Sequence, residues 1–122
     1  LDDKSQIKEI DNIKDDDLIL DIGPKTIQEI KNIIELSKTV LWNGPAGYFE
    51  NPNFAYGSFE IAKAIIKKNK NKSIYSVVGG GDTVALINQI KAMKDFNFVS
   101  TAGGAFLEYL EGKDLPGIKA LN

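Results

Sequence analysis

Y-S-V-V-G-G-G-D-T-V-A, from Tyr75 to Ala85, is the stretch on which the reading of the fold turns. An apolar run ends in three consecutive glycines, then come a carboxylate and a hydroxyl, and after them a helical pattern. The order predicts a strand over Ser73 to Val78 that enters a turn and opens directly into a helix begun by Asp82 and Thr83. Glycines let a backbone come close to a bulky anion. The first amides of a helix point outward without partners and favour negative charge. Asp82 stands at the mouth of that turn. A carboxylate there repels a bare phosphate, so its presence points to a metal ion bridging the two. The first expectation is therefore a magnesium–nucleotide phosphate site.

Working outward, the same grammar recurs on both sides. Leu18-Ile19-Leu20-Asp21-Ile22 is a short apolar run, hence an expected buried strand, stopped by Gly23-Pro24. A helix follows with Ile27, Ile30 and Ile33 or Ile34 on one face, reaching about Ser37, with Thr26 as cap and Glu29 completing a capping box. Thr39 to Trp42 is the next strand, ended by Asn43-Gly44-Pro45-Ala46-Gly47. A long loop through Tyr48-Phe49-Glu50 and Asn51-Pro52 leads to a helix over Phe54 to Lys68, with Phe59, Ala62 and Ile66 inward. The helix after the glycines turns Val84, Leu86 or Ile87, and Ile90 inward. Phe96 to Ser100 is the fourth strand, ending at Thr101-Ala102-Gly103-Gly104. Ala105 to Leu110 is a final helix closed by Gly112 as a C-cap glycine, and an extended tail begins at Leu115-Pro116-Gly117.

Strand followed by helix, four times, is the pattern of an α/β fold. We expect a doubly wound, Rossmann-like parallel sheet, a partial domain of about four βα units. In such sheets ligands sit at the carboxyl ends of the strands. All four ends here carry glycine and small polar residues. One such turn is weak evidence; four converging on one rim are much stronger.

Composition narrows the chemistry. The 122 residues are 43% hydrophobic and 26% charged, a globular balance, with a formal charge of −2 that leaves no electrostatic footprint for nucleic acid. Lys67 to Lys72 holds four lysines, but no aromatic residue is interleaved to stack on bases, so it reads as a solvated helix end. There is no cysteine and no histidine, which removes disulfides, thiolate zinc sites and the usual general base. Asp15-Asp16-Asp17 lacks the spacing of a calcium loop and reads as a solvated turn. Asn71-Lys72-Ser73 matches a glycosylation acceptor by chance. No run approaches the ~18 apolar residues of a membrane span, and no signal peptide is visible. Neither G-x-x-x-x-G-K-[ST] nor G-x-G-x-x-G is present, which disfavours P-loop and simple dinucleotide folds. The opening at Leu1, in L-D-D-K-S-Q, leads us to expect a fragment of something longer.

Each candidate residue has a plain structural alternative. Gly79, Gly80 and Gly81 offer amides to a phosphoryl group, or simply make a tight turn. Asp82 binds Mg²⁺, or caps the helix, and the two are compatible. Thr83 donates its hydroxyl to a phosphate, or packs in the first turn. Gly103 and Gly104 repeat the arrangement at the next strand, so that two helix N-termini grip one anionic group, the kind of help phosphoryl transfer needs. Glu50 accepts from the two hydroxyls of a ribose, or is a surface glutamate. Tyr48 and Phe49 make an apolar bed for a base, or pack the loop.

L-W-N-G-P-A-G-Y-F-E, F-A-Y-G-S, S-V-V-G-G-G-D-T and S-T-A-G-G-A-F-L-E-Y-L-E-G-K-D-L-P-G, in that order and with D-I-G-P-K-T before them, closely resemble the C-terminal part of phosphoglycerate kinase. The resemblance runs from about Leu18 to Leu121. It implies an enzyme that transfers a phosphoryl group between 1,3-bisphosphoglycerate and ADP, giving ATP and 3-phosphoglycerate in glycolysis, as a cytoplasmic monomer of two doubly wound domains. The C-terminal domain binds the Mg²⁺ nucleotide, the N-terminal one the glycerate. Carried across by motif, Asp82 handles the metal and Thr83 the nucleotide phosphates; Gly80 and Gly81 supply amides. Glu50 holds the ribose, Tyr48 lies near the adenine and Asn43 near the phosphates. Gly103 and Gly104 help stabilise the group in flight. Two departures stand out. Ala102 replaces the first of three glycines usual after S-T, which costs about 1 kcal/mol or more if φ is positive there; we expect that it is not. The glycerate site, the main nucleotide-site lysines and the first strands of the C-terminal domain are missing from these residues. The chain is thus expected to be the last third of the enzyme, without its N-terminal substrate domain and inactive alone. The alternative is a non-catalytic nucleotide-binding or interaction module on the same half-domain.

Overall fold

The computed structural model describes residues 5–121; of the stretch from Leu1 to Ile13, which reads as a loop with a short helical turn, the described part has a 3-10 turn at Ile10–Asn12 and residues 1–4 lie outside. Three strands, β1 (Thr39–Asn43), β2 (Tyr75–Gly79) and β3 (Phe98–Ser100), form one parallel sheet in that order. Five helices accompany them: α1 (Pro24–Leu36), α2 (Tyr56–Lys70), α3 (Gly81–Gln89), α4 (Gly103–Leu110) and α5 (Pro116–Ala120). Parallel neighbours require a crossover, and α2 and α3 supply the two crossovers here. The register pairs Asn43 with Gly79 and Gly79 with Ser100. All three strands therefore end level, and their carboxyl ends share one rim.

The two-residue period of the strands divides the sheet. Trp42 and Val78 point into a core with Ile34, Ile61, Ala62, Ile65, Leu86, Ile87 and Phe96. Leu41 and Phe98 stand on the opposite face, 47% and 50% exposed. Within α2, Ala62 is fully buried as expected, but Ile61 and Ile65 share the inner stripe while Phe59 and Ile66 are only partly buried. In α3 the inner residues are Thr83, Leu86 and Ile87; Ile90 is at the surface, just past the helix end.

The expected parallel α/β sheet forms, but with three strands, so the four βα units expected are not all there. Leu18–Ile22 is not a strand. Leu18 and Ile19 are exposed, and the polar groups of the segment are taken elsewhere. Leu20 accepts from the Tyr48 amide at 2.8 Å. The Asp21 carboxylate accepts from the amides of Ile22 and Gly57, at 2.9 Å each. A side chain that satisfies backbone amides competes with a strand ladder, and here it wins.

The first helix starts three residues earlier than the Thr26 capping box predicted. Gly23 is the N-cap and Pro24 the first helical residue, where its fixed φ and missing N–H cost nothing. The helix over Phe54–Lys68 runs instead from Tyr56 to Lys70, behind a short 3-10 turn at Pro52–Phe54. The tail is not extended, since Pro116 starts α5. Gly112, at φ 85°, follows α4 as expected. Asp15 and Asp16 form a turn, as expected, and Asp17 accepts from the Lys14 amide and the Lys8 ammonium.

Charged groups tie α1 to α2. Lys68 of α2 donates to the carbonyls of Ile34, Glu35 and Ser37, placing a cation on the negative end of α1. Lys31 donates to Glu60 Oε2 at 2.5 Å, and Lys63 reaches the other oxygen at 3.4 Å. The Lys31 hydrogen bond, helped by Lys63, holds the Glu60 carboxyl below its usual range against the opposing effect of burial, and Glu60 holds Lys31 above its own.

A lowered folded-state pKa gives stability that is full above the unfolded carboxylate value and is lost as pH falls through the folded one. Thermal melts should therefore show stability falling as the pH drops below about 4.5. Glu60→Gln should melt lower at pH 7 and show a shallower acid slope. An unchanged slope would assign the acid loss to other carboxylates.

Candidate functional site

The rim is built from the ends of β1, β2 and β3 and the first turns of α3 and α4. Gly80 has φ 94°, a conformation that β-carbon sterics make costly for other residues. This reversal turns the chain from β2 into α3. A Cβ there would lie 3.0 Å from Asn43 Oδ1, so the Asn43 side chain rests on the turn. Gly79, just before it, lies between Asn43 Nδ2 and the ring of Phe106. A Cβ on Gly103 would lie 3.6 Å from the Gly80 Cα. The starts of α3 and α4 are thus in van der Waals reach of each other.

Val84 makes the first backbone bond of α3, donating to the Gly80 carbonyl at 3.0 Å. That geometry leaves the amides of Gly81, Asp82 and Thr83 without an intrahelical acceptor. The N-cap is Gly80 and makes no side-chain cap bond. Asp82 is therefore not the cap; it lies in the first turn, exposed, and takes no partner among the described ion pairs and side-chain hydrogen bonds. In α4 the first-turn amides of Gly103 and Gly104 are in the same position, and Ala105 donates to the Ala102 carbonyl at 3.1 Å. A Cβ on Gly81 or on Gly104 would meet nothing within 4 Å. Open space thus lies beside both sets of amides.

Thr83 is placed differently from a residue waiting for a ligand. It is fully buried, and its Oγ1 accepts from the Gly44 amide at 2.7 Å. The hydroxyl joins the start of α3 to the loop after β1. That loop is fastened again by Trp42 Nε1, donating to the Gly44 carbonyl at 2.8 Å, and by Ser58 Oγ, accepting from Ala46 at 2.9 Å. Phe49 is buried and anchors the loop's middle, while Tyr48 and Glu50 stand exposed on either side of it.

Comparison with known proteins decides the family. The phosphoglycerate kinase family model matches residues 1–113. The chain belongs to the phosphoglycerate kinase family. It is 54% identical to a phosphoglycerate kinase of Orientia tsutsugamushi (strain Boryong) over 103 residues, 84% of this chain and 26% of that protein. With a phosphoglycerate kinase of Chelativorans sp. (strain BNC1) it shares 46% over 118 residues, 97% of this chain and 30% of that one. The solved structure of phosphoglycerate kinase from Coxiella burnetii superposes with a TM-score of 0.85 at 42% identity, over 98% of this chain and 30% of that one. That of the Pyrococcus horikoshii OT3 enzyme gives 0.71 at 36% identity, over 85% and 24%. The chain thus spans under a third of the length of these family members.

Of the residues singled out from sequence, Asn43, Gly80, Thr83 and Gly103 come together in one cluster, with Gly81, Asp82 and Gly104 on its open side. Tyr48 and Glu50 lie outside the cluster, on the loop that Thr83 fastens. Ala102 has φ −83°, ordinary right-handed backbone, so the alanine there is unstrained, as expected. Ser58, Asp21 and Phe106 were not singled out. Asp21 was read as a strand residue, although an Asp before Gly-Pro is also a signal for a side chain that caps backbone amides.

Removing the Thr83 oxygen leaves the part-buried Gly44 amide without its acceptor, at a cost of about 1–3 kcal/mol. Thr83→Val should lower the melting temperature by several degrees, while Thr83→Ser, which keeps the oxygen, should lose much less. An unchanged melting temperature in Thr83→Val would show that the hydroxyl bond to Gly44 contributes little.

Proposed function

We propose that these residues form the nucleotide half of a phosphoglycerate kinase active site, binding ADP or ATP with Mg²⁺. The observation that carries the reading is the close approach of two helix N-termini at Gly80 and Gly103, with a free carboxylate, Asp82, beside them. Amides alone would favour a bare anion. An added carboxylate suits an anion that arrives with a hard cation, and a Cβ on Gly81 or Gly104 would meet nothing within 4 Å, so these first-turn amides face open space. The donor set is oxygen only, as magnesium requires.

In this reading Asp82 holds the metal, directly or through water. Magnesium, when bound, draws negative charge off the phosphate oxygens. The amides of Gly80 and Gly81, with Thr83 as a first-turn anchor, receive the nucleotide phosphates, and Asn43 orients them from the β1 side. Glu50 accepts from the ribose hydroxyls, and Tyr48 flanks the base. In the full enzyme, the bond from phosphorus to the acyl oxygen of 1,3-bisphosphoglycerate breaks, and one to a terminal oxygen of ADP forms. Gly103 and Gly104 stabilise the charge on the transferred group. The 3-phosphoglycerate carboxylate is the leaving group. We place the glycerate site on a separate N-terminal domain outside these residues, in a cytoplasmic monomer whose partners are small molecules, with no nucleic acid or membrane.

Two experiments test this. In the full-length protein, Asp82→Ala should weaken Mg-ADP by about tenfold or more (~1.4 kcal/mol) in calorimetric titration, and leave metal-free ADP little changed. Equal loss with and without magnesium would reduce Asp82 to a helix-end charge. The 122 residues alone should show no ATP-dependent phosphorylation of 3-phosphoglycerate in a coupled assay; turnover by them would place the glycerate site within this chain.

A further inference from the structure

We propose that Asp21 is a positioning residue for nucleotide selection, acting through the loop that carries Tyr48 and Glu50; the inference rests on the nucleotide reading above. Asp21 lies 36 positions from Gly57 in sequence, yet its Oδ2 accepts from the Gly57 amide at 2.9 Å while its Oδ1 accepts from its neighbour Ile22. Gly57 is in the first turn of α2, where amides lack intrahelical acceptors and α2's own N-cap, Ala55, offers no side-chain bond. Asp21 thus caps α2 from a distant segment, with its negative charge on the positive end of the helix.

The fit is close enough to dictate the residues around it. A Cβ on Gly47 would lie 2.6 Å from Asp21 Oδ1 and 2.6 Å from the Leu20 carbonyl; one on Gly57 would lie 2.5 Å from Asp21 Oδ1. The carboxylate therefore sits between two glycines, one at each end of the segment from Gly47 to Gly57. Next to it, the Leu20 carbonyl accepts from the Tyr48 amide at 2.8 Å. Asp21 and Leu20 together fasten the far side of a loop whose near side is fastened by Thr83. Tyr48 and Glu50 are exposed; Tyr48 is tied through its amide to Leu20, and Phe49 between the two is buried. Asp21 touches neither phosphate nor ribose in this arrangement. Its effect falls on the nucleoside end of the ligand and spares the phosphate end.

The test is binding of Mg-ADP and Mg-2′-deoxy-ADP to the full-length protein and its Asp21→Ala and Asp21→Asn variants, below the melting range of each. The two ligands carry the same charge, so their affinity ratio cancels the loss of the Asp21 charge and any uniform drop in folded fraction. The unsubstituted protein should prefer ADP by roughly tenfold, the value of a hydrogen bond to a charged acceptor. Asp21→Ala should bring the ratio close to one. Asp21→Asn, which keeps the volume and one acceptor oxygen, should lie between. An unchanged ratio in folded Asp21→Ala, or in Asp21→Asn should the alanine variant not fold, overturns the proposal. No Mg-ADP binding by the unsubstituted protein would instead overturn the nucleotide reading, and this inference with it.

Discussion

The amide of Gly44 donates to a buried threonine hydroxyl 39 positions away, and the mouth of the sheet is assembled on that bond. Neither group has a regular place in a ladder. Gly44 has just left β1, and Thr83 is in the first turn of α3, where its own amide looks outward. With Thr83 fully buried and Gly44 partly so, either group would be costly to leave unpaired. Their pairing brings the loop after the first strand against the helix after the second. Asn43 is thereby laid across Gly80, and α4 comes close enough for Gly103 to approach the same glycine. The rim is a set of tight backbone approaches closed by one side-chain oxygen.

Below the rim the molecule is more ordinary. Isoleucines of α1 and α2, with Trp42, Val78, Leu86 and Ile87, fill one face of the sheet. The two helices are joined by a lysine over the end of α1 and by the Lys31–Glu60 pair. Such ion pairs at partly exposed positions contribute modestly; the buried aliphatic area contributes most of the stability. The division has a physical logic. The packed layer fixes strand height and register, and the register in turn brings Asn43, Gly79 and Ser100 level. Small residues then suffice at the top, where close approach matters more than volume.

Much of this was legible in the sequence. The apolar runs before Asn43, Gly79 and Thr101 each became strands, because each is short, β-branched or aromatic, and followed by glycine. The run at Leu18–Ile22 has the same local signature and failed. What separates it is not local: among the described residues it pairs with no strand, and the Asp21 carboxylate finds a helix amide 36 positions on. Where proline rather than a hydroxyl set the first turn, the helix start was misplaced, at Pro24, or the helix was read as an extended tail, at Pro116. At the site, Gly80 makes the tight strand-to-helix turn that was its plain structural alternative, packed against Asn43 and Gly103. The role of Thr83 was read incompletely, since a hydroxyl's choice between ligand and loop depends on tertiary proximity that no spacing reveals. The separation of Tyr48 and Glu50 from the glycine cluster was hidden for the same reason.

The single tryptophan of the chain occupies a telling place in this arrangement. Trp42 is buried, and its indole N–H donates to the carbonyl of Gly44, the residue whose amide is held by Thr83. The two peptide groups flanking Gly44 are thus held, one by the Thr83 hydroxyl and the other by a natural fluorophore. Any event that slackens the loop admits water to the indole and shifts its emission to longer wavelength. These 122 residues thus carry an optical gauge of the rim, with no second tryptophan among them and no label to attach.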